Sequence, residues 1–309
     1  MGMAKPHARR VRMQTPTPSV LVVLTASLLA YIGLASDGDM PDVGISRDAV
    51  LITGGRGGIG RAVADGLAAA GYTAIITVRK QADVDAIKAE ISTLEAVLFD
   101  VTKAEHTDAA VANVRALLSA KNLRLTGVVA NAGINPEGDR FLEAVGKGEA
   151  RPQEMVDEEM GMSVLATNVV GVGRTCRAFL PLLRESGNGR LVLLGSYFGS
   201  IAGALGAGHL YYEASKHAVE GIADNLRRSE AKRGSGVRVS LVKPGNIITA
   251  MNPKPFGEDE PAVVVRSVRH ALGPSPKRRY FAGRVKGWPC GLLCWVFTHM
   301  PTAITDRLA

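Results

Sequence analysis

The chain has 309 residues, 46% of them hydrophobic and 21% charged, so it can bury a core of ordinary size and is not a disordered segment. Its net charge of +8 lies at its two ends: residues 1–36 carry basic but no acidic side chains, and residues 254–309 carry an excess of basic ones. The near-neutral region between them and an aromatic content of 5% exclude a nucleic-acid-binding surface, and three cysteines are too few for a disulfide framework.

Residues 1–46 form a basic stretch, an apolar segment and a polar linker. The apolar segment, Val20–Ala35, would span ~24 Å as a helix, slightly less than a bilayer core of ~27–30 Å. Three interpretations fit: an uncleaved signal anchor, a signal peptide cleaved near Ala35 or Ser36, and an organelle transit peptide. Residues 1–46 are therefore expected to attach the protein to a membrane or to target it, with the endoplasmic reticulum as the expected location and organelle targeting as the alternative.

From residue 47 onward, short apolar runs alternate with amphipathic stretches, which predicts an α/β fold with a doubly wound parallel sheet, the Rossmann fold. A single domain is expected over residues 47–287, followed by an apolar tail over 288–309. A helix is predicted over Ile59–Ala70 because its apolar residues recur on one face. The predicted strands are Val50–Thr53, Thr73–Val78, Val97–Phe99, Gly127–Ala130, Leu191–Leu194, Val237–Val242 and Arg279–Ala282.

The turn between the first strand and the first helix has the sequence TGGRGGIG at 53–60. Glycines at 54, 58 and 60 permit a tight turn and let the backbone approach a pyrophosphate group at the helix N-terminus. A glycine-rich loop alone is a weak signal, but its position between a strand and a helix favours a dinucleotide site.

From about residue 47 to the C-terminus, the chain resembles a short-chain dehydrogenase/reductase, and its apolar tail Trp288–Met300 resembles the tails of the membrane-associated hydroxysteroid and retinol dehydrogenases of that family. Each motif is weak alone, but all occur in the family's order. They are TGGRGGIG at 53–60, Asp100-Val101, Asn131-Ala132-Gly133, Asn168, a serine after the fifth strand, Tyr212 with Lys216, and Pro244-Gly245 with Thr249.

The resemblance implies that Tyr212 is the catalytic acid or base, that Lys216 lowers its pKa and holds the nicotinamide ribose, and that Asn168 supports a proton relay. The four-residue spacing places Tyr212 and Lys216 on one helix face, where an ammonium favours the phenolate. The substrate-binding serine is ambiguous. Ser196 matches the strand register and is preferred, whereas Ser200 matches the usual spacing to the tyrosine.

NADP is the expected cofactor, because Val78 occupies the position where NAD-preferring relatives carry an acidic residue, and Arg79 follows it. Arg56 is expected to flank the 2′-phosphate. Asp100 is expected near the adenine, or else leads into a helix that a Thr102–Glu105 capping box begins. The cofactor-binding residues that the resemblance implies are Gly54, Arg56, Gly58, Ile59, Gly60, Arg79, Asp100, Val101, Asn131, Ala132, Gly133, Tyr212, Lys216, Pro244, Gly245 and Thr249.

Two departures from the family pattern bear on the substrate. The spacing from Asn131 to Asn168 indicates an extra loop within residues 135–155, and the short stretch from Pro244 to Pro274 indicates that much of the family's helical lid is missing. The tail Trp288–Met300 is apolar and follows a basic stretch, so it either lies on a bilayer or packs on its own domain or on a homodimer partner. No histidine or cysteine pattern indicates a metal site.

These features predict a membrane-associated, NADP-dependent oxidoreductase that interconverts an alcohol and a carbonyl on a lipophilic, steroid- or retinoid-like substrate. One alternative is a reductase of a fatty-acyl or short oxo-acid derivative. Another is a dinucleotide-binding scaffold without turnover, which the complete set of Asn, Ser, Tyr and Lys residues disfavours.

Overall fold

A computed structural model describes residues 48–138, 158–200, 210–254 and 257–299. Its centre is a parallel sheet of seven strands in the order β3-β2-β1-β4-β5-β6-β7. The predicted doubly wound Rossmann fold is therefore confirmed. The strands of this sheet are β1 Asp48–Thr53, β2 Thr73–Val78, β3 Leu94–Leu98, β4 Arg124–Ala130, β5 Arg190–Leu194, β6 Arg238–Pro244 and β7 Arg279–Ala282.

Helices cover both faces of the sheet, which explains why its strands are almost continuously apolar. Helices α3, α5 and α6 bury apolar side chains on one face, and α1, α2 and α7 do so on the other. The helices are α1 Gly58–Ala69, α2 Gln81–Glu90, α3 Thr107–Ala120, α4 Glu158–Leu165, α5 Gly171–Glu185, α6 Leu210–Arg233, α7 Ala262–Leu272 and α8 Cys290–His299.

The strand order reverses at β1, which pairs with β2 on one side and with β4 on the other. In a doubly wound sheet the loops on either side of such a reversal diverge, and they leave a crevice at the carboxyl ends of the strands. The turn after β1 and the loop after β4 therefore border one crevice, and the loops after β5 and β6 extend it.

The segment between β6 and β7 spans residues 245–278, and the absence of much of the family's lid stays a prediction. The second half of this segment is α7, which packs against α1, where the absence of a side chain on Gly66 makes room for Val265. Val264 and Val268 of α7 enter the core, so this helix is part of the folded layer. Only the stretch between β6 and α7 remains available to border the crevice.

The chain after β7 forms a two-stranded hairpin, β8 Arg284–Val285 and β9 Trp288–Pro289, followed by α8. Cys290 and Cys294 of α8 are buried against Tyr197 and Val285 of the same domain. For Cys290 and Cys294, the structure therefore agrees with one of the alternatives given for the apolar tail, that it packs on its own domain. No helix within the described ranges is long and apolar enough to cross a membrane.

Several predicted segments lie outside the described residues: the apolar segment Val20–Ala35 with its linker, most of the extra loop at 135–155, and the tail beyond residue 299. Where strands are described, their predicted positions agree with the structure to within three residues at each end. The hairpin of β8 and β9 was not predicted, because its two strands contain only two residues each and carry no alternating pattern.

Candidate active site

The turn between β1 and α1 has the geometry that its glycines predict. Gly54 and Gly58 have φ angles of +70° and +55°, a conformation that side-chain-bearing residues rarely adopt. At Gly60 a Cβ atom would overlap the carbonyl oxygen of Gly54 and would lie 2.5 Å from Asn131 Nδ2. A Cβ on Gly57 would meet nothing within 4 Å, so open space lies at the N-terminus of α1. This combination of a tight turn, a bare helix N-terminus and open space fits a dinucleotide pyrophosphate.

Asn131 braces this turn from the end of β4. Its side-chain amide donates to the carbonyl oxygens of Thr53 at 2.9 Å and Gly54 at 3.4 Å. The Thr53 hydroxyl in turn accepts from the backbone N–H groups of Asn131 and Ala132, each at 3.1 Å. The Asn131 side chain, predicted as a cofactor contact, thus also holds together the two loops that border the crevice.

The crevice is a cleft of about 1180 Å³ along the carboxyl ends of the strands. Two predicted site residues, Asn168 and Asp100, are not among the residues that line it. The predicted site residues that line it are Gly54, Arg56, Gly58, Ile59, Gly60, Arg79, Val101, Asn131, Ala132, Gly133, Ser196, Tyr212, Lys216, Pro244, Gly245 and Thr249.

Ser196, Tyr212 and Lys216 meet at the far end of this cleft. A hydrogen bond joins the side chains of Ser196 and Tyr212. Lys216 is buried, its ammonium donates to the carbonyl oxygen of Leu194 at 3.2 Å, and it lies 5.4 Å from the centre of the Tyr212 ring. Phe198 packs edge-on against that ring, with 6.0 Å between the ring centres. The structure therefore brings a phenol, a hydroxyl and a cation together beside an aromatic wall.

Burial is the largest influence on the pKa values of Tyr212 and Lys216. It raises the pKa of Tyr212 to about 12, against a smaller lowering by the hydrogen bond with Ser196. Burial also lowers the pKa of Lys216 to about 8. Burial thus acts against the lowering of the tyrosine pKa that the sequence predicts, because desolvation disfavours the phenolate. At pH 7 the site holds a neutral phenol beside an ammonium ion, which suits proton donation.

The structure separates the two candidate serines. Ser196 ends β5 and caps the short helical turn Tyr197–Gly199 by accepting from the N–H of Phe198 at 3.3 Å. Ser200, one turn later, accepts instead from the ammonium of Lys243. Ser196 is thus the serine in contact with Tyr212.

Asn168 lies on a π-helical turn, Ala166–Val170, between α4 and α5. Its amide holds both backbone groups of Ile134, each at 2.9 Å, and donates to the hydroxyl of Ser215 at 3.1 Å. Ser215 belongs to α6 and donates to the carbonyl oxygen of Tyr212 at 2.7 Å. The Asn168 side chain therefore fixes the loop after β4 to the helix that carries Tyr212, and a role in a proton relay stays a prediction.

At the other end of the cleft, Arg56 and Arg79 follow β1 and β2. Arg56 forms an ion pair with Asp83 of α2 at 2.5 Å, while its side chain remains 68% exposed. Arg79 is exposed and lines the cleft beside Lys80. This end of the cleft is therefore basic.

Asp100 does not face the cleft. Its carboxylate accepts from the N–H of Thr102 at 2.9 Å and from its hydroxyl at 2.7 Å. Burial alone would raise the pKa of Asp100, but these two hydrogen bonds and the nearby Arg79 outweigh it and lower the pKa. The carboxylate thus stabilises a turn, whereas Thr102 does not form the predicted capping box, since the next helical turn begins at Ala104 without a side-chain cap. Val101 is the member of this pair that lines the cleft.

Three buried or strained groups near the cleft were missed by sequence reasoning. Lys243 lies inside the apolar strand β6 and contacts Glu220 and Ser200. Glu137 is 2% exposed and accepts two backbone N–H groups from the start of α6. Lys286 has a φ of +49° and lines the cleft. For Lys243, a charged residue inside a predicted apolar strand could have indicated a buried charge. The sequence carries no comparable signal for Glu137 or Lys286.

Within the described ranges, no group of three or more His, Cys, Asp or Glu side chains is placed to hold a metal ion. The described cysteines, Cys176, Cys290 and Cys294, are buried and form no disulfide.

A sequence model of the family described as short chain dehydrogenase matches residues 48–259. Human retinol dehydrogenase 16 is 27% identical over 84% of this chain and 86% of its own length. The mitochondrial D-beta-hydroxybutyrate dehydrogenase of Bos taurus is 28% identical over 85% of this chain and 84% of its own length.

A solved structure of 3-ketoacyl-(acyl-carrier-protein) reductase from Brucella melitensis, complexed with NADH, superimposes with a TM-score of 0.63. It is 23% identical and is covered over 98% of its own length, against 79% of this chain. This likeness shows that the two proteins share a fold.

The packing at Gly60 predicts a specific sensitivity. In Gly60→Ala the new methyl group would overlap Gly54 and press on Asn131, so we expect dinucleotide affinity to fall at least tenfold. Gly57→Ala is the matched control, because its methyl group meets open space and its φ of −156° suits alanine. Fluorescence titration with NADPH would measure both, and equal affinities for the two variants would contradict the described turn.

The lowered pKa of Lys216 predicts how reduction depends on pH. Lys216 carries its charge below a pH of about 8 and loses it above, and without the charge nothing offsets the phenolate that forms as Tyr212 gives up its proton. We therefore expect kcat/KM for carbonyl reduction to be constant below pH 7 and to fall above about 8. Lys216→Arg should remove the inflection, and a wild-type profile that is flat to pH 10 would contradict the assignment.

Proposed function

Since this chain belongs to the short-chain dehydrogenase family, we propose that it is an NADP-dependent oxidoreductase that interconverts alcohol and carbonyl groups on a lipophilic substrate. The interconversion of alcohol and carbonyl and the use of a nicotinamide dinucleotide follow from the family. The choice of NADP, the class of substrate and the membrane location are the proposed parts. The observation that carries the catalytic proposal is the contact of Ser196 with Tyr212 beside the buried Lys216.

The bound dinucleotide would supply or accept the hydride. This chain's own residues do the rest. The hydroxyls of Ser196 and Tyr212 orient the substrate oxygen, and the neutral Tyr212 phenol donates a proton to it during reduction. The Lys216 ammonium stabilises the phenolate that results. The Phe198 ring packs against Tyr212 and makes its surroundings less polar, which strengthens these electrostatic interactions.

The choice of NADP rests on the basic end of the cleft. A 2′-phosphate carries charge that an exposed Arg79 can meet with charge-assisted hydrogen bonds, whereas a ribose hydroxyl gains little from it. Arg56 already pairs with Asp83, so Arg79 and Lys80 are the cations on this wall that we expect to contact a 2′-phosphate.

We expect Arg79→Ala to weaken NADPH binding much more than NADH binding. A charge-assisted contact is worth about 1.5–3 kcal/mol, which corresponds to roughly a ten- to hundredfold change in the Kd of NADPH. Arg61→Ala is the matched control, because Arg61 pairs with Asp65 on α1 and does not line the cleft. Equal losses for the two dinucleotides in titrations of Arg79→Ala would contradict the choice of NADP.

A lipophilic substrate is supported by the wall around Tyr212 and by the shortened segment after β6. Phe198, Val285 and Met251 line this end of the cleft, and Trp288 stands 58% exposed on the adjoining hairpin. Without a full lid, affinity must come from apolar contact, at about 25 cal/mol for each Å² buried. A steroid- or retinoid-sized molecule offers such a surface, and a three- or four-carbon acid does not.

Reduction of a short oxo acid is the second candidate, and one observation favours it. Lys286 lines the same cleft and can meet a substrate carboxylate. A relative is named as a D-beta-hydroxybutyrate dehydrogenase.

Membrane attachment through Val20–Ala35 belongs to the same proposal. It rests on the sequence of a segment outside the described residues, with the endoplasmic reticulum preferred and organelle targeting as the alternative. Four basic residues before this segment favour a cytosolic N-terminus, so an uncleaved segment would place the catalytic domain in the lumen. Protease protection of the catalytic domain in sealed vesicles would be the expected result.

The test of the proposed function is a panel of three carbonyls followed by NADPH absorbance: all-trans-retinal, androstenedione and acetoacetate. We expect kcat/KM to rise with substrate hydrophobicity, and to fall for the two larger substrates in Trp288→Ser. An enzyme that prefers acetoacetate would support the oxo-acid candidate instead. An enzyme that binds NADPH and reduces none of the panel, nor oxidises the matching alcohols, would support the scaffold.

A further inference from the structure

Glu137 is a buried carboxylate that the proposed mechanism does not use. It is 2% exposed and lies in a helical turn after β4, next to the cleft-lining Gly138. One carboxylate oxygen accepts from the N–H of Tyr211 at 2.8 Å, and the other accepts from the N–H of Tyr212 at 2.9 Å. A buried charge needs such partners, and both come from the first turn of α6.

The first turn of a helix has N–H groups without partners in the helix, and the positive end of the helix dipole lies there. Glu137 satisfies two of these donors at once, and its carboxylate interacts favourably with the positive end of the α6 dipole. This helix has 24 residues and is the longest in the described part of the chain. The cap comes from a different loop. The first turn of the catalytic helix is therefore tied to the loop after β4.

We propose that Glu137 is the positioning residue for Tyr212: it fixes the first turn of α6 so that the phenol stays in contact with Ser196. The proposal rests on the proposed role of Tyr212 as proton donor. Glu137 itself does not line the cleft. It acts through the backbone of the residue that donates the proton.

The loop that carries Glu137 is itself held by hydrogen bonds from two sides, so its position is fixed and it can in turn fix the position of Tyr212. Asn131 ties its beginning to the glycine turn, and Asn168 holds both backbone groups of Ile134, three residues before Glu137. The Asn135 side chain closes the turn by accepting from the N–H of Gly138 at 3.1 Å.

The contact between Tyr212 and Ser196 joins two separate elements, α6 and the end of β5, and depends on the position of each. Ser215 and Lys216 tie α6 to Asn168 and to β5 beyond Tyr212 on the helix. Glu137 instead accepts from the backbone N–H of Tyr212 and so reaches α6 from its first turn. Without it, the first turn can fray or shift, and small misplacements of a proton donor slow its reaction strongly.

The test compares single-turnover NADPH oxidation with all-trans-retinal in four forms of the full chain. In Glu137→Ala we expect the rate to fall at least tenfold, with the Kd of NADPH and the KM of retinal within twofold of wild type. In Glu137→Gln one oxygen still accepts but the amide NH2 faces the second N–H, so we expect a rate between those of Glu137→Ala and the wild type. This partial rescue separates positioning from a general loss of folding.

Glu230→Ala is the matched control. Glu230 is a buried carboxylate at the opposite end of the same helix, where it pairs with Arg184 and accepts from Ser235. We expect this variant to lower the Tm and to keep the wild-type rate. If Glu137→Ala keeps the wild-type rate, or if Glu230→Ala loses as much as Glu137→Ala, the positioning role is overturned.

A crystal structure of Glu137→Ala decides the inference separately from turnover. We expect the distance between Ser196 Oγ and the Tyr212 hydroxyl to exceed hydrogen-bond range. An intact contact would overturn the proposal whether or not the enzyme reduces retinal. Conversely, if the wild type reduces none of the three carbonyls while the contact breaks in Glu137→Ala, the proposed function fails and the positioning by Glu137 stands.

Discussion

The constraint on which the site depends is the burial of the Lys216 ammonium. A cation in the interior requires a polar partner, and here the carbonyl oxygen at the end of β5 accepts from it. The lysine also lies close to the loop after β4, since a Cβ on Gly133 would come within 3.7 Å of its nitrogen. Thus one charge ties α6 to the end of β5, and Tyr212 takes its position from the same helix. Burial of the ammonium lowers the pKa of Lys216, and burial of the phenol itself raises the pKa of Tyr212.

A continuous set of hydrogen bonds extends from the nucleotide end of the cleft to the proton donor. It runs from the glycine turn through Asn131 to the loop after β4, and from that loop through Asn168 and Glu137 to α6. Polar side chains in this set bond mainly to backbone, so they position loops that would otherwise be free to move. These bonds therefore fix the loops at the two ends of the cleft relative to one another.

Sequence patterns predicted the strands, the glycine turn and the Tyr212–Lys216 pair because each depends on local spacing. They left Ser196 and Ser200 unresolved, since the choice depends on how the loop after β5 folds. Apolar composition could not tell whether the tail lies on a bilayer or on the domain, and the structure shows only that Cys290 and Cys294, in the first half of α8, pack on the domain. Glu137 was missed because its partners lie more than 70 residues away in the sequence, and no periodicity reports such a contact.

The central claim, that Tyr212 donates the proton, is tested most directly by single-turnover NADPH oxidation in Tyr212→Phe. Tyr211→Phe is the matched control, because it removes the neighbouring hydroxyl on the same helical turn. With a carbonyl that the wild type reduces, we expect Tyr212→Phe to bind NADPH within twofold of wild type and to react at least about 100-fold more slowly. The control should react at the wild-type rate. A Tyr212→Phe enzyme that turned over at a near-normal rate would contradict the account.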